Sequence, residues 1–361
     1  MGIPAPGGTN SVNPHRYRHI EVSGSHFEIG QQIGDYLKEE LQGFVATSWD
    51  RIAQTLTLRR ETILNVIRQS TLFVRDWAPD LLDELSGAAE TSGLSFDDLM
   101  FLQIRNQLTA DMDSGCTSFS LRNEQQQISL IGQNWDNDPA LDAFTVVLTR
   151  RPNDKPAFMT VTQAGLIAYI GMNDVGVAAC LNSLPAPSRA VGVPHYFTLR
   201  RVFEGRTLDY AVSVIADATR AIPASIMLST PDGPANLEVT IDAVHVLRPA
   251  ADGVLLHTNH CLHPNLASIN HEFPELIQSR PRLERISHLL KTGISCLSPE
   301  SLQTALQDHS GFPRSICRHA NADPGHGYWK TVFSVIMSVG TGEMHVARGN
   351  PCEAPYEVYR L

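Results

Sequence analysis

The spacing of hydrophobic positions changes character near residue 111. Before it, apolar residues fall at helical intervals. Ser25 and Glu28 stand in the Ser-x-x-Glu spacing of a capping box, and Ile29, Ile33, Tyr36, Leu37, Leu41 and Phe44 follow on one helical face. A second helix is predicted over about 61–77. A third begins at Pro79 in the first-turn position, carries Leu81, Leu82 and Leu85, and stops near Gly93. Ser95 and Asp98 form a box with Asp in place of Glu and open a fourth helix, through Leu99 and Leu102 toward Asn106. Beyond residue 111 strands dominate. "CTSFSL" and "ISLIGQNWD" flank a polar turn and predict a hairpin, and "FTVVLTR" is a third strand. "LIAYIG" and "VAACLNSL" form another hairpin around "MNDVG". "SIMLST", "NLEVTIDAVHVL" and "GVLLHTNH" are strands, and "TVFSVIMSV" pairs with "MHVARG" across "GTGE". Between them, "PHYFTLRRVFEG", "TLDYAVSVIADA", "RPRLERISHLLKTG" and "SPESLQTALQDH" read as helices. About nine or ten strands, mostly in hairpins, with helices in blocks, predict an α+β fold of antiparallel sheets faced by helices. There are no internal repeats.

Composition narrows the function. The chain has 361 residues, 42% of them hydrophobic, enough for one large domain or two ordinary ones. Its net charge of −10 comes from 28 basic and 38 acidic residues, and no basic run carries interleaved aromatics, so no nucleic-acid partner is expected. No apolar run approaches the length of a membrane span. The opening "MGIPAPGGTNSVNPHRYRH" reads as a loose arm with no signal-peptide core, and Pro6 stands where myristoylation wants Ser or Thr. The closing Tyr-Arg-Leu is not a peroxisomal signal, so a reducing cytoplasm is the expected location. Cysteines at 116, 180, 261, 296, 317 and 352 show no Cys-x-x-Cys spacing and form no disulfide framework; most are expected to be small buried hydrophobes.

Cys116 is the exception. It follows Gly115 directly and opens a strand. Taken alone, a cysteine there is most simply a small core residue. However, the peptide bond after a glycine can be approached closely, so the thiol can attack its own preceding carbonyl. An N→S acyl shift followed by hydrolysis would leave Cys116 as a new N-terminus. Its free α-amine titrates at about 7.7–8.0, low enough to take the thiol proton at neutral pH without a histidine.

"GCTS" with "GQNWDND", "IGMNDVGVAACLN", "HTNH", "RSICRH" and "RGNPCEAPYEVYRL" together resemble the acyl-coenzyme A:6-aminopenicillanate acyltransferase (isopenicillin N acyltransferase-like) family of self-cleaving cysteine N-terminal-nucleophile hydrolases. The opening segments "GSHFEIGQQIGDYLKEEL" and "APDLLDELSGAAETSGLSFDDLM" extend the resemblance over nearly the whole chain. The resemblance implies a four-layer αββα sandwich of two antiparallel sheets. It implies Cys116 as nucleophile and Gly115 as bearer of the scissile carbonyl. Residues 1–115 would be released as a small chain and 116–361 would form the catalytic chain, the two remaining together as one domain. Asp136 matches the acid that orients the nucleophile's amine and thiol. Asn259 matches the side-chain oxyanion donor. Arg318 matches an arginine near the site, with Arg314 as the alternative. Asn134 and Ser118 flank the nucleophile as supports.

Other clusters carry less. His257, His260, Cys261 and His263 in "HTNHCLHP" offer zinc-type ligands, but the spacing is no usual closed pattern, and no metal is expected. Cys317 and His319 lie two apart without a papain-type signature, which argues against a catalytic dyad. Asn173 reads as a turn residue, and Asn182 as a turn residue able to reach the pocket. The expected activity is self-processing hydrolysis of carbon–nitrogen amide bonds in small N-acyl compounds through a Cys116 thioester, with no cofactor. The alternative is acyl exchange between an amide or acyl-CoA and an amine. Hydrolysis is favoured because the "GTG" turn near Gly340 is too short for a CoA phosphate site. A conventional unprocessed cysteine hydrolase and a binding protein that lost its chemistry are the competing classes.

Overall fold

The computed structural model describes residues 13–56, 58–108, 115–273, 277–292, 297–323 and 327–361. The N-terminal arm before residue 13 and Cys296 lie outside the described residues. Strand β1 (His19–Gly24) leads into α1 (His26–Tyr36), where the Ser25–Glu28 box forms as the spacing predicts: the Glu28 N–H donates to Ser25 Oγ at 3.3 Å and Ser25 N–H to the Glu28 carboxylate at 2.8 Å. The single long helix expected next is two, α1 and α2 (Lys38–Thr55), broken at Leu37. Leu37 is fully buried, so the apolar face continues across the break while the backbone turns there. Helices α3 (Arg60–Trp77), α4 (Pro79–Ser92) and α5 (Phe96–Leu108) match their predicted spans; Gly93 ends α4 in the left-handed region at φ +78°. The Ser95–Asp98 box closes with Asp98 N–H donating to Ser95 Oγ at 3.1 Å.

Then come β2 (Gly115–Asn123), β3 (Ile128–Asn137), β4 (Thr145–Pro152), β5 (Phe158–Gln163), β6 (Ile170–Asn173) and β7 (Ala178–Ser183). Helices α6 (His195–Val202) and α7 (Leu208–Asp217) precede β8 (Ala224–Thr230), β9 (Gly233–Val239), β10 (Val244–Leu247) and β11 (Val254–His257). After α8 (Ile269–Glu272), α9 (Ser279–Thr292) and α10 (Pro299–Leu306), the chain closes with β12 (Lys330–Ser338), β13 (Glu343–Arg348) and β14 (Tyr356–Arg360). No helix among the described residues is long and apolar enough to cross a membrane.

The strands make two sheets, in the orders β1-β4-β5-β6-β7-β8-β9-β10 and β11-β2-β3-β12-β13-β14. Their total of 14 among the described residues exceeds the nine or ten expected. One pair, β1 with β4, is parallel; the connection between them runs through α1–α5 and then through β2 and β3 of the other sheet, long enough for a parallel crossover. The run "NLEVTIDAVHVL" splits into β9 and β10 around a turn at 240–243, where the Thr240 and Ala243 backbones bond to each other. The run "LIAYIG" keeps only its last residues as strand.

The sheets stack face to face: Gln133 on β3 donates across the gap to the Leu181 carbonyl on β7 at 2.8 Å. Outside the smaller sheet, Phe119, Leu121, Leu130 and Ile336 pack against Ile286 and Leu290 of α9 and Leu302, Ala305 and Leu306 of α10. Outside the larger sheet, α6 stacks Phe203, which caps it, on Phe158 of β5, and α4 sends Glu84 to Arg150 of β4. The result is the expected αββα layering, held mainly by apolar side chains worth about 1.5–3 kcal/mol each when fully buried.

Candidate active site

The β2–β3 ladder sets the geometry. Gly115 pairs with Asp136, Cys116 with Trp135 and Thr117 with Asn134. Facing residues in an antiparallel pair share a side, and successive ones alternate. Cys116 and Trp135 therefore face the layer between the sheets, where both join the main core, as does Gln133. Gly115, Asp136, Thr117 and Asn134 face the α9–α10 layer. Asp136 thus meets the backbone at Gly115, on the side opposite the Cys116 thiol.

Asp136 is fully buried. Its Oδ1 accepts a 2.7 Å bond from Thr331 on β12, and its Oδ2 lies 3.5 Å from Arg318 Nε with no hydrogen bond of its own among the described residues. That oxygen sits over Gly115: a Cβ built on the glycine would stand 3.0 Å from it. Burial pushes the Asp136 carboxyl up, against the opposing pull of Arg318 and Arg282. Arg318 is anchored in turn by donation to the Ile277 carbonyl at 2.9 Å and Gln278 Oε1 at 3.0 Å. Arg314, the alternative, points outward and pairs with Asp323 at 2.8 Å.

On the other side of the Gly115–Cys116 bond, the Cys116 backbone N–H donates to Asn259 Oδ1 at 2.9 Å. Asn259 lies just beyond the end of β11, in a loop fixed by the first residue of α9: Asn259 N–H donates to Ser279 Oγ at 2.7 Å and Thr258 Oγ1 to the Ser279 carbonyl at 3.0 Å. The Asn259 NH₂ donates to the Ser183 carbonyl at 3.1 Å, so its oxygen faces Cys116. Asn182 on β7 steadies the same loop by donating to the His257 and Thr258 carbonyls.

Sequence reasoning missed Arg282. It donates to Asn259 Oδ1 at 2.7 Å, to Thr117 Oγ1 at 2.9 Å and to the Cys116 carbonyl. Its Nε also donates to the Ile277 carbonyl at 3.1 Å, so Arg282 and Arg318 share one anchor. The signal was present: Arg282, Ile286 and Leu290 recur every four residues on α9, placing a cation on the apolar stripe of a helix. A buried charge at such a place has a partner to reach.

The remaining residues divide. Asn134 donates to the Leu306 and Ile316 carbonyls, tying α10 to the sheet, and Ser118 Oγ donates to the His257 carbonyl at 3.4 Å. Asn173 does turn chemistry, accepting from Val175 and Val177 N–H. The "HTNHCLHP" ligands do not converge: His257 bonds Glu238, His260 bonds Ser279 Oγ and His263 caps its own short turn. Burial lowers His260 to about 4 and raises Cys261 to about 12, as for inert core groups. Cys317 and His319, two apart in sequence, do meet at 3.6 Å, in a separate cluster with His309 and Cys352.

A model of the family "acyl-coenzyme A:6-aminopenicillanic acid acyl-transferase" matches residues 121–353. The 40 kDa form of the acyl-coenzyme A:6-aminopenicillanic-acid-acyltransferase of Emericella nidulans is 25% identical over 345 residues, covering 92% of this chain and 93% of that protein. Among solved structures, a Caenorhabditis elegans ortholog of N-acylethanolamine-hydrolyzing acid amidase aligns at 16% identity and TM-score 0.45, over 62% of this chain and 93% of its own. The penicillin V acylase of Agrobacterium tumefaciens aligns at 12% identity and TM-score 0.47, over 68% of this chain and 86% of its own.

Proposed function

The chain belongs to the acyl-coenzyme A:6-aminopenicillanic acid acyl-transferase family, and from that premise we propose that it is a self-processing enzyme that breaks carbon–nitrogen amide bonds of small N-acyl compounds through a thioester on Cys116. The observation that carries this reading is a buried hydrogen bond on one side of the Gly115–Cys116 bond with a buried carboxylate over the other. Asn259 Oδ1 holds the Cys116 nitrogen at 2.9 Å, and the Asp136 carboxylate covers Gly115.

Processing starts when Cys116 Sγ attacks the Gly115 carbonyl carbon. The thiol proton passes to the departing nitrogen, and the Gly115 acyl group moves from nitrogen to sulfur. Water then splits the thioester, leaving a Gly115 carboxylate, the thiol and a free Cys116 amine. Asp136 acts at this bond from the side opposite the thiol, where its carboxylate covers the Gly115 backbone and fixes it for the attack. The small chain, 1–115, stays attached because β1 remains hydrogen-bonded to β4 along its whole length.

In turnover the Cys116 amine takes the thiol proton and the thiolate attacks the substrate carbonyl. The ammonium then protonates the leaving amine, and water releases the acid from the acyl-thioester. Asn259 Oδ1 positions the amine. Arg282 beside it disfavours the ammonium form and so keeps the base ready. The Asn259 NH₂ is the neutral donor of the site; it serves the oxyanion when it exchanges the Ser183 carbonyl for substrate, a role typically worth about 10²–10³ in rate. Arg318 holds Asp136 in place. The name of the Emericella relative favours a second reading, in which an amine or an acyl-CoA replaces water as acyl acceptor or source; both readings share the Cys116 intermediate.

The test is terminal sequencing of active protein together with Cys116→Ala. Active enzyme should show a chain beginning at Cys116. The variant should run as one 39.7 kDa band and turn over no N-acyl amine. An active protein that remains in one piece, or an active Cys116→Ala, overturns the reading.

A further inference from the structure

Away from the thiol, four side chains from three stretches of chain converge: His309 after α10, Cys317 and His319 in the following loop, and Cys352 in the turn between β13 and β14. Their ligating atoms all lie within 4.8 Å of one another. Cys317 Sγ is 3.5 Å from Cys352 Sγ, and His319 Nε2 is 3.6 Å from Cys317 Sγ, 3.4 Å from Cys352 Sγ and 3.1 Å from His309 Nε2. A tetrahedral zinc with Zn–S of about 2.3 Å and Zn–N of about 2.0–2.1 Å requires separations of about 3.7 Å (S to S), 3.6 Å (S to N) and 3.4 Å (N to N). These four spacings fall within about 0.3 Å of those values, the N-to-N one being the shortest, and the two remaining pairs lie within 4.8 Å. The surroundings fit as well. His319 Nδ1, the nitrogen turned away from the cluster, faces the Glu353 carboxylate at 3.7 Å, the outer partner that orients a ligating histidine. Asn350 donates to Cys317 Sγ at 3.4 Å, and Phe312 packs on both imidazole rings.

We propose that His309, Cys317, His319 and Cys352 form a closed Cys₂His₂ site for a structural Zn²⁺ ion. Two thiolates and two neutral imidazoles balance the ion's charge, and the two thiol protons leave to solvent on binding. Thiolate and imidazole select zinc over magnesium or calcium, and four protein ligands leave no open position for substrate, which makes the role structural. The other group with ligand spacing, His26, Asp80 and Glu204, is unlike it: Arg200, Arg201 and Lys155 already neutralise its carboxylates. The consequence reaches the active site. Arg318 sits between two ligands in sequence, so clamping Cys317 and His319 to the Cys352 turn fixes the backbone from which Arg318 reaches Asp136. The assignment of the ion does not depend on the proposed chemistry at Cys116.

The test is elemental analysis of untagged full-length protein produced with zinc supplied, alongside Cys352→Ser and His309→Ala. Both variants alter exposed side chains, so the fold tolerates them. The parent should hold about one zinc per chain and each variant less than about a tenth of that. Chelator should lower the parent's melting temperature toward the variants' and leave the variants unmoved. Refilling with cobalt should give the intense visible bands of a tetrahedral site with a sulfur-to-metal charge-transfer band, a readout that needs no variant. Zinc-free parent that takes up no cobalt, variants that keep full zinc, iron or copper in zinc's place, or a Cys317–Cys352 disulfide in the intact mass would each overturn the assignment.

Discussion

Gly115 has no side chain, and the space where one would go is already claimed. A Cβ there would meet Asp136 Oδ2 at 3.0 Å and Asp136 Cβ at 3.3 Å, on a buried side chain tied to Thr331 through its other oxygen and lying 3.5 Å from Arg318. Gly115→Ala should therefore fold but press the scissile carbonyl off the carboxylate. A misfit costing about 1–3 kcal/mol would slow the proposed self-cleavage about five- to 150-fold. The measurement is the time course of the uncut band in freshly made protein, and unchanged kinetics would show that Asp136 does not act at this bond. The Gly115–Cys116 pair at a strand start, with Asp136 down the hairpin, is a local pattern visible in the sequence, but taken alone it reads as core; the roles proposed for these residues come from the resemblance of several motifs taken together. The choice between Arg318 and Arg314 was not local. It depends on which way a loop turns, and the structure puts Arg318 on Asp136 and Arg314 on Asp323. Arg282 was legible in principle, as a cation on an apolar stripe, yet its partner Asn259 lies 23 residues away and no spacing rule links them.

At the scale of elements, α1 and α4 approach backbone to backbone. A Cβ on Gly87 would stand 2.1 Å from the Phe27 carbonyl oxygen, and one on Gly30 would stand 2.0 Å from the Glu84 carbonyl oxygen. Helix propensity alone says Gly87→Ala should stabilise α4 by about 1 kcal/mol. The packing says the reverse: the helices must separate, at about 3 kcal/mol or more. The midpoint of denaturant unfolding decides the sign, and a variant as stable as the parent would refute the close contact. The helices and their caps were legible because Ser25–Glu28 and Ser95–Asp98 act within one turn. Strands β1, β5 and β14 were not. β1 carries a single buried residue, Val22, and is a strand only because β4, more than 100 residues on, supplies its hydrogen bonds. β5 is a short strand buried on both faces, with only Met159-Thr160-Val161-Thr162 as alternation to read, and β14 is an edge strand with one buried residue.

Across the whole molecule, the small and large chains of the proposed cut enzyme are joined by a buried charge network as well as by the β1–β4 ladder. His26 of α1 and Asp80 and Glu84 of α4 belong to the first; Arg150 of β4 and Arg200, Arg201 and Glu204 around α6 belong to the second. Glu84 is nearly fully buried between Arg150 at 2.8 Å and Arg200 at 3.9 Å, with His26 at 3.9 Å. The Asp80 and then the Glu84 carboxylates, accepting from the His26 ring, raise it to about 9, opposed by burial and by Arg200. The sign follows from linkage. The folded state holds the His26 proton more tightly than the unfolded chain, whose value is about 6.5, so this stabilisation is complete below about pH 6.5 and is lost as pH rises through about 9. Fully buried, such a shift would be worth about 3 kcal/mol; with Asp80 39% exposed, screening reduces it to about 1–2 kcal/mol. Asp80 is pulled well below the usual carboxylate range, so its contribution is lost only in acid, well outside this window. Thermal midpoints of the parent should therefore fall across pH 6.5–9, and those of His26→Gln should fall less, converging on the parent at the alkaline end. Taking the difference between the two proteins removes thiols and other groups that titrate nearby in both. Parallel slopes would place the alkaline loss elsewhere, whereas convergence would identify one protonated histidine as a pH-dependent tie between the two chains.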